Sequence, residues 1–97
     1  MAGKQGNSKF VKVTGILEQA YAIGGETTGW ILVLDAPLMV GSQSLKRVEV
    51  EPGGRQMARF LDRRVKIQGL LQKCSGVERG WYWVLVITEI QAIAAGK

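Results

Sequence analysis

Histidine is absent from this chain of 97 residues, cysteine occurs once, at Cys74, and proline only twice. Without His the commonest general base and the commonest metal ligand are both missing, and a single Cys makes neither an internal disulfide nor a thiolate zinc site. Long hydrophobic runs are missing as well. The longest apolar stretches, Trp30 to Leu34 and Trp81 to Ile87, have the length of strands and fall far short of the ~18 residues that span a bilayer. The opening Met-Ala-Gly-Lys-Gln-Gly-Asn-Ser-Lys has no apolar segment of the kind a signal peptide needs. The expectation is a cytoplasmic protein with no membrane partner, no metal and no cofactor. An exported domain whose signal peptide has been removed would begin in the same way and is the alternative.

What is present describes one small domain. With 46% hydrophobic and 22% charged residues the chain has the balance of a globular protein, and at 97 residues it can bury one modest core but cannot flank a deep catalytic cleft with lobes. Thirteen Lys and Arg against eight Asp and Glu leave a net charge of +5, which favours phosphate-rich or acidic partners. The composition therefore points to a binding domain.

The pattern along the chain is that of strands. Residues 1–9 are polar and aperiodic and read as a flexible basic arm carrying Lys4 and Lys9, with the folded domain at 10–94. From Phe10, Val11, Val13, Gly15 and Leu17 alternate with Lys12, Thr14, Ile16 and Glu18 as strand one, and the Gly24-Gly25 pair supplies the turn that follows. Residues 28–40, with Trp30-Ile-Leu-Val-Leu34, form strand two, apolar on both faces. After a polar loop at Gly41-Ser-Gln-Ser44, Leu45 to Glu51 is strand three, ended by Pro52-Gly-Gly54. Met57, Phe60 and Leu61 recur at helical spacing within Arg55 to Asp62, which predicts a short helix. Val65 to Gln72 alternates as strand four, Ser75 to Gly80 is a loop, and Trp81 to Ile93 is strand five. Val11-Lys-Val-Thr-Gly-Ile-Leu17 is echoed by Val65-Lys-Ile-Gln-Gly-Leu-Leu71, and a glycine at the same place in both marks sites where a barrel strand bends or bulges.

Five strands with a short helix between the third and fourth is the element order of the OB-fold, an all-β Greek-key barrel. The stretch Met57 to Ile93 resembles the second half of bacterial single-stranded-DNA-binding proteins and their single-domain relatives in primosome assembly. The likeness lies in Ala-Arg-Phe-Leu61, then Val65-Lys-Ile-Gln-Gly-Leu-Leu71, a Gly-containing hairpin loop and the closing Val-Ile-Thr-Glu-Ile-Gln-Ala-Ile93. It covers under half the chain and implies a fold more strongly than a function. The segment Trp30-Ile-Leu-Val-Leu-Asp-Ala-Pro37 also looks like part of some small exported bacterial OB domains.

Barrels that bind single strands combine cations along the backbone path with aromatic faces for the bases. The candidates here are Lys12, Trp30, Lys46, Arg47, Lys73, Arg79, Trp81 and Trp83, with Tyr82 beside them and Tyr21 at the rim. Lys73 and Arg79 are placed in the loop joining strands four and five. Trp30 and Trp83 serve equally well as core or barrel-end plugs. The dense basic run Arg55, Arg59, Arg63, Arg64 and Lys66 is expected to be a solvated face away from the ligand. No base or oxyanion element accompanies Asp35, Asp62, Glu49 or Glu51, so no catalytic residue is assigned. Two functions follow: a non-catalytic module binding single-stranded DNA or RNA, or an interaction domain that packs the outer side of strand two, with Trp30, Ile31 and Val33, on a second copy or another protein.

Overall fold

The computed structural model describes residues 9–20, 29–76 and 80–93. In chain order these form β1 (Lys9–Gln19), β2 (Trp30–Val40), β3 (Gln43–Glu51), a single 3-10 turn (Ala58–Phe60), β4 (Arg64–Gly76) and β5 (Gly80–Ala92). The strands close a barrel in the order β1-β2-β3-β5-β4. Every neighbouring pair is antiparallel except β3 and β5, which run parallel over Glu49↔Val84 to Glu51↔Val86. This all-β five-stranded barrel is consistent with the OB-fold.

The alternating residues of the sequence become the inside of the barrel. Leu17, Leu32, Val50, Val65, Ile67, Leu71 and Leu85 are fully buried, and no polar side chain is buried with them among the described residues. Met57 and Phe60, from the segment after β3, join the same core and plug one end.

Closure depends on two glycines. β1 pairs with β4 over residues 9–16 and with β2 over residues 15–19, so the chain exchanges partners at Gly15. A Cβ at Gly15 would collide with the Val33 carbonyl oxygen and stand 2.9 Å from its carbon; one at Gly69 would meet the Val86 carbonyl in the same way. Gly69 also sits where the β4–β5 register shifts, with Thr88 as the extra residue on β5. Both positions need the close approach of a neighbouring strand.

The structure shifts several of the expected boundaries, among them β5, which opens at Gly80. The turn between β2 and β3 is only Gly41-Ser42, with Val40 opposite Gln43 and Gly41 at φ +60°, so Gln43 and Ser44 belong to β3. The helix expected over Arg55 to Asp62 is one 3-10 turn. Leu61 is already extended, Asp62 takes φ +63°, and the chain pairs with β1 instead, through Asp62 N–H to the Leu17 carbonyl (2.8 Å) and Leu17 N–H to the Arg63 carbonyl (3.1 Å). β4 runs on to Gly76, so Lys73, Cys74 and Ser75 are strand residues. Lys9, expected in the arm, opens β1, while positions 1–8 lie outside the described residues.

Candidate functional site

β3 and β5 are hydrogen-bonded for only three residue pairs, and toward their N-terminal ends they separate. β3 stays with β2, and β5 stays with β4 in an arm that reaches Gly76↔Gly80. Between them lies a groove of about 520 Å³. One wall carries Ile31, Gln43, Leu45, Arg47, Val48 and Glu49, and the other carries Lys73, Trp81, Tyr82 and Trp83.

The period-2 pattern explains why the arm presents these residues. Val65, Ile67, Gly69 and Leu71 point into the barrel, and the next residue in that series is Lys73. On β5 the buried Ile87 and Leu85 lead in the same way to Trp83 and Trp81. The interior stripe of both strands thus runs out beyond the barrel and becomes a groove wall.

Three side chains define the geometry there. The Lys73 ammonium lies 5.5 Å from the Trp81 ring centroid and 5.9 Å from that of Trp83, within range of a cation–π attraction to both. Trp83 Nε1 donates to Gln43 Oε1 at 3.1 Å, tying the arm to β3. Trp81 is 52% exposed, an unusual state for so large an apolar ring. Arg47 faces this assembly from β3, one register step from Val48 and opposite Val33 on β2.

The chain matches no protein-family model, no curated protein and no solved structure.

Of the residues singled out in the sequence, Arg47, Lys73, Trp81 and Trp83 come together. Trp30 packs against the core, half-buried, and does not line the groove. Lys46 alternates with Arg47 and is exposed outside it. Lys12 is exposed on β1, opposite Gln68 of β4, also away from the groove. Arg79 and Tyr21 lie outside the described residues. Ile31, expected on the outer side of strand two, lines the groove as well, and Gln43, Leu45, Val48 and Glu49 join it without a counterpart among the expected site residues. For Gln43 and Leu45 the signal was the two-residue Gly41-Ser42 turn, which sets the β3 alternation from Gln43 onward.

The basic run is not simply solvated. Arg55 donates to the carbonyls of Pro52 (3.2 Å), Ile87 (3.2 Å) and Thr88 (2.7 Å), strapping the loop after β3 onto β5 where the parallel pairing ends. Arg59 lies over the Phe60 ring at 5.1 Å. Arg64 pairs with Asp35 at 2.7 Å, and Thr14 Oγ1 donates to the same carboxylate oxygen at 2.7 Å. The Thr14 hydrogen bond, followed by the Arg64 hydrogen bonds and charge, holds the Asp35 carboxyl below its ordinary value. Asp35 thereby joins β2, β1 and β4, a structural task.

Proposed function

We propose that the groove binds a single strand of DNA or RNA without catalysis. The observation that carries this reading is the Lys73 ammonium held against the rings of Trp81 and Trp83 on one wall, with the Arg47 guanidinium on the other. The exposed Trp81 indole offers a stacking surface to a base, and two cations at the edges of the same cleft complement phosphates. The location supports it too, since oligonucleotide-binding barrels use the face of strands two and three beside the loop joining strands four and five. The likeness of Met57 to Ile93 to bacterial single-stranded-DNA-binding proteins agrees with the same reading.

A protein ligand is the second reading, favoured by the apolar floor of Ile31, Leu45 and Val48. Titration of Trp fluorescence with a ~20-nucleotide mixed-sequence strand separates the two, because that length exceeds the site of one barrel. Quenching that weakens with salt is expected. No quenching at low salt and micromolar protein removes the nucleic-acid reading and leaves the protein ligand.

A further inference from the structure

On the side of the barrel away from the groove, the outer face of β1, β4 and β5 carries two residue rows. Phe10 lies opposite Leu70, and Leu70 opposite Val86, so the first row is Phe10–Leu70–Val86. Lys12 lies opposite Gln68, and Gln68 opposite Glu89, so the second is Lys12–Gln68–Glu89. Phe10 is 54% exposed, a large apolar ring standing on an open strand face. Its neighbours Leu70 and Val86 are only half-covered.

Both rows have the same symmetry about β4. In the first, apolar groups flank a central Leu; in the second, opposite charges flank a central Gln. We propose that this face docks on a second copy of the chain, about a twofold axis running along β4. Such an axis lays Leu70 on Leu70 of the other copy and Phe10 on Val86. It brings Lys12 over Glu89 and Gln68 beside Gln68, and each cross-contact occurs twice, as an isologous interface requires. Had the flanking charges been alike, the operation would set like charges together; their opposite sign is what selects a second copy as the occupant. Glu89 accepts a 3.4 Å hydrogen bond from Gln68 Nε2 within its own chain, which keeps the carboxylate on this outer face. Lys66 lies one row beyond Gln68, opposite Thr14 and Gln91. Because Lys66 is itself on β4, the same axis brings the two Lys66 side chains together at the edge of the patch, where their exposed, flexible stems can turn to solvent.

The β1–β4–β5 face is separate from the groove, which opens on the β2–β3 side. Sedimentation velocity of the full chain from about 1 to about 100 µM is the measurement. Wild type is expected to form a dimer, and Phe10→Glu to give a folded monomer. Lys12→Glu sets two carboxylates against each other at both symmetric contacts and should weaken the dimer roughly tenfold or more. The double exchange Lys12→Glu with Glu89→Lys should restore it. Lys12 and Glu89 are both exposed, so these variants report on the interface even if Phe10→Glu perturbs folding. A monomeric wild type throughout the range, a dimer indifferent to Lys12→Glu, or a double exchange no tighter than the single one would each overturn the proposal.

Discussion

Val13 and Ile67 face one another across β1 and β4, and the chain runs outward from that pair with a local twofold likeness. Two residues away on either side, Val11 lies opposite Gly69 and Gly15 opposite Val65. The repeated pattern therefore pairs with itself, each Val beside the other copy's Gly. Each Gly in turn receives a carbonyl from its next neighbour, Val33 on β2 or Val86 on β5. The echo in the sequence is the trace of the corner on which the barrel closes.

Replacing Gly15 or Gly69 by Val should lower stability by about 1–3 kcal/mol, because the new Cβ meets backbone that has no flexible end to yield. Denaturant midpoints for the two variants are the check, and a wild-type midpoint in both would remove the closure argument.

Arg55→Met keeps most of the aliphatic stem but removes the donors to three carbonyls, among them those of Ile87 and Thr88. The expected loss is about 1–2 kcal/mol, the range of hydrogen bonds to a charged donor discounted for partial exposure. Thermal unfolding measures it. Arg63→Met, in the same basic run, should change stability by less than about 0.5 kcal/mol, as substitutions at exposed positions usually do.

For the groove, the two walls should separate in their response to salt. With Arg47 and Lys73 meeting about two phosphates, log affinity should fall with log salt at a slope near −1.4, and Arg47→Ala should flatten it by about 0.7. Trp81→Ala should cost about 1–3 kcal/mol of binding while leaving the slope nearly unchanged, since stacking releases no counterion. Equal effects of both variants on the slope would contradict the assignment of roles.

Asp35 gives a pH dependence of defined sign. Its carboxyl is held below the ordinary value of 3.8 by the Thr14 hydrogen bond and then by Arg64, so the folded state favours the ionised form more than the unfolded chain does. That stabilisation is complete above the ordinary carboxylate range and disappears as pH falls through the depressed folded-state value. Asp35→Asn should therefore unfold more easily at neutral pH while losing less stability than wild type between neutral and strongly acidic solution. Melting temperatures of both proteins across that range test it, and parallel curves would remove Asp35 from the acid response.

The positions of the strands along the chain and most of the core were legible because alternation reports which side of a strand is covered, and that depends only on adjacent residues. Leu17, Val65, Ile67 and Leu71 are inside as their spacing implies. Helical spacing at Met57, Phe60 and Leu61 is misleading, since two of these are buried by plugging the barrel end while the backbone leaves after one turn and bonds to Leu17 through Asp62 and Arg63. Ser75 and Gly76 carry turn-forming composition, which disguises the end of β4 from Lys73 onward. Cys74, Ser75 and Gly76 are held in the ladder by their partners Tyr82, Trp81 and Gly80.

The order of residues alone carried the all-β fold, the residues of the interior stripe, and the two glycines as places where a barrel strand bends or bulges. Those properties follow from period-2 alternation and from the absence of a Cβ, both local. Only the tertiary structure decided that Arg47, Lys73, Trp81 and Trp83 share a groove while Lys12, Lys46 and Trp30 do not. Membership depends on where the parallel β3–β5 pairing stops and the two strands separate, a relation between segments more than thirty positions apart that no local pattern encodes.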